Sequence, residues 1–196
     1  MIIGLTGGIA TGKSESAKCF DSLGAYSIDA DAISRELTAK GMPALRELVK
    51  IFGNDILYSN GILNRKKLAY IIFSDKQAKL QIEKILHAYI IAHINEIISH
   101  KISQHNIVIN APLLFEVGLD AICDNVIVIW VPYAIQAKRL ALRDNLSGGE
   151  IKKRIGSQMH MEEKVKLADF VIDNTGSKKD LRNKINDLYK LLTSKS

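Results

Sequence analysis

The amino-acid sequence predicts an α/β fold, in which a five-stranded parallel sheet carries helices on both faces. Short apolar runs alternate with amphipathic segments along most of the chain, and strands separated by helices run parallel because each crossover returns the chain to the same end of the sheet. The most continuously apolar run, Val126–Val131, is typical of a strand buried on both faces. A glycine-rich GxxxxGKS stretch, Gly7–Ser14, joins the first apolar run to the first amphipathic segment, which predicts a strand, a tight loop and a helix in succession.

Turn-forming residues set the boundaries of the first elements. Gly24 and Gly41 each follow an amphipathic segment and suit the end of a helix. Pro43 suits the first turn of the next helix, because proline lacks the N–H that this turn leaves unbonded. The predicted elements of this part are strand Ile2–Thr6, helix Lys13–Leu23, strand Ala25–Asp29, helix Asp31–Lys40 and helix Pro43–Phe52.

The rest of the chain continues the alternation after a long helical stretch. Asn60-Gly61 predicts a turn, and Asn64 can cap the helix that follows it. Ser147-Gly148-Gly149 predicts a hinge-like break between two later helices. The predicted elements are helices Arg65–Phe73 and Asp75–Ser99, strands Ile107–Ala111 and Val126–Val131, helices Ala134–Asp144 and Glu150–Gln158, strand Phe170–Asp173 and helix Lys179–Leu192.

Two segments stand out from this simple alternation. The all-helical region from about residue 31 to 104 is too long for a single crossover. We interpret it as a helical substrate-binding insertion within one domain that spans residues 1–196. The segment from about 139 to 158 is basic and contains the glycine pair, and we interpret it as a lid that closes over a bound ligand.

The composition is that of an ordinary globular protein. Apolar residues make up 47% and charged residues 24% of the 196 residues. Only two cysteines occur, in no metal-binding or disulfide-framework spacing, and the apolar start lacks a positive leader. We therefore expect a cytoplasmic protein with no membrane partner, and we favour a monomer.

The positive charge of the chain favours an anionic ligand. The net charge is +6, and residues 134–155 carry six basic residues against two acidic ones, a local net charge of +4. Such a stretch is by itself most often a solvated helical face. Beside a phosphate-binding loop, a basic clamp over a polyphosphate becomes the better interpretation.

The GxxxxGKS stretch predicts a phosphate-binding loop for a nucleoside triphosphate. Its glycines let the backbone curl, so that successive amides point at phosphate oxygens. Lys13 would reach the β- and γ-phosphates, and the Ser14 hydroxyl would ligate Mg²⁺. The alternative is a glycine turn with an accidental lysine. The residues predicted to bind the nucleotide are Gly7, Gly8, Ile9, Ala10, Thr11, Gly12, Lys13, Ser14 and Glu15.

Polar residues follow the predicted strands, at the edge where a parallel sheet binds its ligands. Asp31 could accept a proton from an attacking hydroxyl or orient Mg²⁺ through water, although an aspartate there could simply cap the next helix. Asn110 could hold a water of the metal shell without adding charge, and Glu116 is a weaker candidate for the metal. Asp173 and Asn174 end the last strand.

Two arginines of the predicted lid are candidates for phosphate contacts. Arg139 and Arg143 are four residues apart on one helical face, and their guanidinium forks suit the charge of a transferring phosphoryl group. The alternative is that they solvate the helix surface. His87 lies among apolar residues, where a packed, hydrogen-bonded histidine is the default interpretation.

An ordered set of motifs resembles the dephospho-coenzyme A kinase family over nearly the full length of the chain. A single motif would be weak, but this order is specific. The matching segments are LTGGIATGKS at Leu5–Ser14, IDADAISREL at Ile28–Leu37, GMPAL at Gly41–Leu45, ILNRKKL at Ile62–Leu68, IEKILH at Ile82–His87, APLLFE at Ala111–Glu116, QAKRLALRD at Gln136–Asp144, RIGSQ at Arg154–Gln158 and ADFVIDN at Ala168–Asn174.

The resemblance implies a phosphate-loop kinase fold and a reaction. The γ-phosphoryl group of ATP would pass to the ribose 3′-hydroxyl of dephospho-CoA, with ADP and coenzyme A as products and Mg²⁺ as cofactor. Carried over to this chain, the resemblance gives Asp31 the role of base or orienting carboxylate. Thr6 and the Gly7–Ser14 loop would bind phosphates, and Arg139 and Arg143 would belong to the lid. Arg65 and His87 would face the acceptor, and Asn174, Thr175 and Gly176 would approach the adenine of ATP.

Three positions depart from the family pattern. Ala88 follows His87 where the family usually has proline, which weakens the assignment of His87. Glu15 follows Ser14 where threonine is frequent, so a hydroxyl contact to the α-phosphate would be missing. Asn110 stands where an aspartate is common.

Other functions fit the sequence less well. A nucleoside or nucleotide kinase shares the loop, the arginines and the fold, but not the ordered motif set. A nucleotide-gated switch of the GTPase type needs an NKxD segment, and Asn183-Lys184-Ile185-Asn186 differs at its last position. Nucleic-acid binding is suggested by charge alone, and no recognition motif supports it.

Overall fold

A computed structural model describes residues 1–194, apart from the side chain of Phe73. Its five strands form one sheet in the order β2-β3-β1-β4-β5, so that β1 occupies the centre. β1 pairs in parallel with β3 and β4, and β4 pairs in parallel with β5, which confirms the predicted sheet. The strands are β1 Ile2–Thr6, β2 Tyr26–Asp29, β3 Ile107–Asn110, β4 Asn125–Trp130 and β5 Phe170–Asp173.

Helices connect these strands, as an alternating pattern requires. In chain order the helices are α1 Lys13–Ser22, α2 Ala30–Leu37, α3 Pro43–Phe52, α4 Arg65–Ser74, α5 Lys76–Lys101, α6 Tyr133–Asp144, α7 Gly148–Ile155, α8 Met161–Leu167 and α9 Lys178–Thr193. Within residues 1–194, none of the helices combines the length and apolar character that crossing a membrane requires.

The chain divides into two compact units. The first, which we call the sheet unit, comprises residues 1–28 and 100–194. Its core lies where α1 and α9 cover one face of the sheet through Phe20, Ile185 and Tyr189. The Phe20 and Tyr189 rings meet edge to face at 5.7 Å, and the Tyr189 hydroxyl accepts a hydrogen bond from Asn106 Nδ2 at 2.9 Å.

The second unit, which we call the helical unit, is Asp29–Ser99. Side-chain caps start three of its helices. Asp29 accepts from the Ala32 amide at the start of α2, and Asn64 accepts from the Lys67 amide at the start of α4, as predicted for Asn64. Asp75 accepts from two amides at the start of α5. The core of this unit is formed by Leu45, Leu48, Ile56, Leu63, Leu68, Ile82 and Ile85.

The structure corrects the sequence prediction around the glycine pair. Gly148 and Gly149 lie in the first turn of α7, not in a hinge. The side chains of Ser147 and Glu150 form a capping box that fixes the start of this helix. The break between α6 and α7 lies earlier, where Asn145 takes a left-handed conformation with φ of 51°.

Two helix ends and one whole helix differ most from the prediction. α2 ends at Leu37 rather than Lys40, because the Thr38 hydroxyl bonds back to Ser34 O at 2.6 Å and competes with continued helix bonding. α7 ends at Ile155 rather than Gln158. α8 was not predicted, since its seven residues are too few for a clear periodic pattern.

Candidate functional site

The loop between β1 and α1 has a backbone that its glycines make possible. Gly7 and Gly12 have φ of 144° and 106°, and Ala10 holds a strained left-handed φ of 60°. A Cβ at Gly7 would collide with Ile129 O, and a Cβ at Gly12 would collide with Asn174 Nδ2. Both positions therefore need glycine for conformation and for space. The amides that start a helix have no acceptor within it, so the start of α1 can bind an anion.

Lys13 lies inside the curve of this loop. Its Nζ donates to Gly7 O at 2.9 Å and to Gly8 O at 3.0 Å, and the residue is 9% exposed. A lysine at this position of a phosphate loop reaches the β- and γ-phosphates. The Gly7–Gly8 end of the loop is consequently where the terminal phosphate of a nucleotide would lie.

The opposite side of the loop is supported by β5 and α6. Asn174, which is 7% exposed, donates from Nδ2 to Thr11 O at 2.8 Å. Arg139 Nη2 donates to Asn174 O at 2.9 Å. The structure thus brings two predicted site residues, Arg139 and Asn174, together with the loop. The role of Asn174 toward adenine stays a prediction, since its side-chain amide supports Thr11.

Two glutamines hold the peptide groups of Ile9, and sequence reasoning missed both of them. Gln136 Nε2 donates to Ile9 O at 2.8 Å, and the Ile9 amide donates to Gln158 Oε1 at 3.0 Å. Gln136 is 4% exposed and lies on α6, whereas Gln158 follows α7. Their place in two of the family-like motifs could have identified them, since Gln136 begins QAKRLALRD and Gln158 ends RIGSQ. We call these two residues the glutamine clamp.

Arg143 contacts a carboxylate at the far end of α6. Its Nε and Nη2 donate to the two oxygens of Asp144 at 2.8 and 3.0 Å, and Arg154 Nη1 donates to the same carboxylate at 2.7 Å. The hydrogen bonds from Arg143 lower the pKa of Asp144, and the same pairing raises the pKa of Arg143. Of the two predicted lid arginines, Arg139 therefore lies beside the loop supports, while Arg143 pairs with Asp144 within α6, and Arg154 of α7 bonds to the same carboxylate.

The carboxyl ends of β1 and β3 place two more predicted residues in the interior. The Thr6 hydroxyl is fully buried and donates to Pro112 O at 3.3 Å. Asn110 is 7% exposed, and its Oδ1 has no hydrogen-bond partner among the described residues. A buried oxygen without a partner is costly unless water or an ion satisfies it.

Glu116, the weaker candidate for the metal, pairs with a buried lysine. Its carboxylate lies 2.9 Å from Nζ of the fully buried Lys164, and it also accepts from the Met159 amide. Lys164 Nζ donates to Pro112 O as well. This pair, of which Lys164 is the buried member, joins α8 to the segment after β3, and pairing is what makes burial of Lys164 tolerable.

The donor set suits a magnesium ion that is held mainly by phosphate and water. Ser14 is exposed at the start of α1, and Asn110 offers its unpaired Oδ1. Within residues 1–194, no three histidine, cysteine, aspartate or glutamate side chains gather as a metal site. Mg²⁺ normally keeps several waters and takes one or two protein oxygens, so this sparse set fits it.

The helical unit holds Asp31, Arg65 and His87, and we describe them within that unit. Asp29 caps α2, so capping does not account for Asp31, which is exposed in the first turn of this helix. Arg65 Nη2 donates to Thr38 Oγ1 at 2.7 Å, and burial together with the charge of Arg35 lowers the pKa of Arg65. Burial also lowers the pKa of His87, against an opposing effect of Glu83.

Cysteine chemistry is not part of this site. Burial, with help from nearby aspartates, raises the pKa of Cys123 to about 12. A thiol with that pKa stays protonated at neutral pH and is a poor nucleophile.

Comparison with known proteins gives a family match. The family model for dephospho-CoA kinase matches residues 1–180. A curated dephospho-CoA kinase of Bacillus licheniformis is 40% identical over 192 residues, which are 96% of this chain and 94% of that protein.

Solved structures agree with this family and with the fold. A dephospho-CoA kinase from Campylobacter jejuni has a TM-score of 0.73 and 33% identity, with 98% of this chain and 97% of that chain covered. A shikimate kinase from Acinetobacter baumannii, in complex with shikimate, has a TM-score of 0.55 and 12% identity over 100% of this chain and 94% of that chain, and shows the fold alone. On the family match and the 40% identity, the chain belongs to the dephospho-CoA kinase family.

Proposed function

We propose that this chain transfers the γ-phosphoryl group of ATP to the 3′-hydroxyl of the ribose of dephospho-CoA. The products are ADP and coenzyme A. The observation that carries the proposal is the loop itself, in which Gly7 and Gly12 adopt conformations that favour glycine and Lys13 lies within the curve. Family membership indicates that dephospho-CoA is the acceptor, and the loop indicates that the chain binds the phosphates of ATP.

On the ATP side, the loop residues 7–15 bind the phosphates through backbone amides. Lys13 moves from the Gly7 and Gly8 carbonyls to the oxygens of the transferring group, where it stabilises their charge. Arg139 and Arg143 add planar guanidinium donors, and Asn174 with its neighbours Thr175 and Gly176 meets the adenine. Ser14, and Asn110 through a water, would hold Mg²⁺, which would neutralise phosphate charge.

On the acceptor side, Asp31 orients the 3′-hydroxyl and accepts its proton as the new bond to phosphorus forms. Because the transition state of phosphoryl transfer is loose, orientation contributes more than proton removal. Arg65, with Arg35 close enough to lower its pKa, forms a positive region suited to the acceptor diphosphate. His87 contributes to the same acceptor region, and about residues 31–104 form the acceptor-binding part of one kinase domain. About residues 139–158 act as its lid.

An acceptor panel tests this proposal. Purified protein with Mg-ATP is mixed with dephospho-CoA, adenosine, AMP and shikimate, and mass spectrometry identifies which compound gains a phosphoryl group. We expect dephospho-CoA to be preferred by at least about 100-fold in kcat/KM, a value typical of sites that bind the rest of the substrate. Preferential phosphorylation of adenosine or AMP would instead indicate a nucleoside or nucleotide kinase.

A pair of deoxy acceptors locates the hydroxyl. Dephospho-CoA without the 3′-hydroxyl should gain no phosphate, whereas the 2′-deoxy compound should still react. Transfer to the 3′-deoxy compound would contradict the proposed position of attack.

We also expect a monomer that acts in the cytoplasm, without nucleic acid or a membrane. Both cysteines are unpaired, which agrees with a reducing compartment where ATP is abundant. Light scattering of the purified chain tests the monomer, and a mass of two chains would contradict it.

A further inference from the structure

A cavity of about 420 Å³ lies within the sheet unit, beside the phosphate loop. The end of β4, the start of α6, the end of α7 and the segment before α8 enclose it. Its size is within the range of ordinary small-molecule sites. The apolar side chains around it are Trp130, Pro132, Tyr133, Ile155, Met159 and Met161, and we call this cavity the thioether pocket after its two methionines.

The thioether pocket borders the loop at Gly8. Gly8 is part of the lining, and a Cβ there would lie 2.5 Å from Gln136 Nε2 and 3.0 Å from Met161 Cε. Both residues of the glutamine clamp also line the pocket. The pocket wall and the Ile9 peptide are therefore held by the same side chains.

The end of the loop at Gly8 is the end where phosphate is transferred. Lys13 Nζ rests on Gly8 O, and this lysine serves the β- and γ-phosphates. In a nucleotide whose terminal phosphate lies at Gly8, the α-phosphate and the nucleoside would lie farther from Gly8 along the loop. We therefore assign the thioether pocket to the acceptor rather than to the adenine of ATP.

The lining selects an uncharged and flexible ligand. Thioether, aromatic and aliphatic groups dominate it, while Lys152, His160 and Glu162 supply the few ionisable groups. Phosphate and free sugar would leave their polar groups unsatisfied against such walls. Methionine adapts its shape to irregular apolar chains, and Tyr133 is 56% exposed, so that its ring is available to a ligand.

We propose that the thioether pocket binds the pantetheine arm of the acceptor. This inference rests on the proposed function, in which the acceptor carries an adenosine, a diphosphate and an uncharged arm with two amides and a thiol. The 3′-hydroxyl must meet the terminal phosphate near Gly8. The arm is joined to the same ribose through the 5′ carbon and the diphosphate, a length of chain that can return to a pocket beside Gly8. The thioether pocket is an apolar site that borders this end of the loop, and it fixes selectivity for an acceptor with an arm.

Trp130 provides a direct test, because it is the one tryptophan of the sequence and lines the pocket. Pantetheine alone is titrated into the full-length protein with and without Mg-ATP, and tryptophan emission is recorded. We expect a saturable change in emission, and adenosine should not produce it. Emission that stays constant up to millimolar pantetheine would overturn the inference.

Two variants and a matched control locate the binding. Tyr133→Ala and Met159→Gln should each weaken pantetheine binding, and raise the KM for dephospho-CoA, by about tenfold, equivalent to about 1.4 kcal/mol. Their KM for ATP should stay unchanged. Leu142→Ala is the control, since Leu142 is 80% exposed and lies about 2.5 turns from Tyr133, on the opposite face of α6. Equal effects in the control and the two variants would contradict the pocket.

Failure of this inference can be told apart from failure of the proposed function. Suppose that the wild-type protein phosphorylates dephospho-CoA, but that pantetheine does not bind, or that its binding is unaffected by Tyr133→Ala and Met159→Gln. The arm then lies elsewhere. If the wild-type protein does not phosphorylate dephospho-CoA, the proposed function fails, whatever the titration shows.

Discussion

The sheet unit and the helical unit hold their candidate residues in different ways. In the sheet unit, Lys13, Gln136 and Asn174 are each less than 10% exposed, and each donates a hydrogen bond to a carbonyl of the phosphate loop. In the helical unit, Asp31 and Arg65 are exposed on the first turns of their helices. The first set is fixed by burial, whereas Asp31 and Arg65 keep exposed surface, although Arg65 also donates to Thr38 Oγ1.

This contrast reflects what each ligand demands. Phosphate is bound by amides whose directions must be set before it arrives, since reorganisation during the reaction would lower the rate. Exposed charged side chains cost little to keep in water and can adjust to an acceptor. We therefore expect damage to the sheet unit to impair every use of ATP, and damage to the helical unit to impair transfer to the acceptor.

The largest effect should come from Lys13→Ala. It removes the cation that stabilises the transferring group, so kcat/KM should fall by about 10²- to 10³-fold with any acceptor. A coupled assay that monitors ADP release measures this loss. The same assay also detects slow hydrolysis of ATP by water. Lys18→Ala is the matched control, because Lys18 is exposed on the same helix. Rates near those of the wild type in Lys13→Ala would contradict the loop assignment.

Asp31→Asn should show the complementary pattern. Loss of the carboxylate should lower kcat by about 10²-fold, while the Kd for ATP, measured by calorimetry, stays constant. Asp29→Asn is the control, since asparagine caps a helix as well as aspartate does and α2 should be kept. A collapse of ATP affinity with kcat preserved would make Asp31 a metal or structural residue instead.

Local patterns account for the parts of the molecule that the sequence predicts well. Strand β5 and helix α3 have the predicted bounds, because an apolar run and a proline at the first turn are signals contained within each element. The phosphate loop is predicted for the same reason, since its motif occupies eight consecutive residues. The Asn64 cap is likewise local.

Contacts between distant parts of the chain account for what the sequence does not predict. The Gln158 bond to Ile9 spans 149 residues, and the Asn174 bond to Thr11 spans 163. Lys164 looks like a surface lysine in its helix, and its contacts with Glu116 and Pro112 O explain its burial. The glycine pair in α7 is an error of another kind. The two glycines predict a break in the chain, but the capping box of Ser147 and Glu150 starts a helix at the same place.

The glutamine clamp allows a finer test of the fixed sheet unit. Gln136→Leu leaves Ile9 O without its donor, and a buried group without a partner costs about 1–3 kcal/mol. The loop should relax, so that the KM for ATP rises by about tenfold, and the thermal midpoint should fall by several degrees. Lys138→Ala, at an exposed position of α6, is the control. An unchanged KM for ATP would mean that the clamp does not position the loop.

The smallest effect concerns His87, the half-buried exception in the helical unit. Burial lowers its pKa below the ordinary value of 6.5, so the unfolded chain binds a proton at a higher pH than the folded chain does. Stability should therefore fall as the pH drops through 6.5 and level off below the folded pKa, and His87→Gln should flatten this dependence. Thermal midpoints between pH 7.5 and 5.0 measure it, with His100→Gln on the exposed last turn of α5 as the control. If His87→Gln and the wild type lose stability equally over this range, the folded chain binds a proton at His87 as readily as the unfolded chain does, and burial does not lower the pKa of His87.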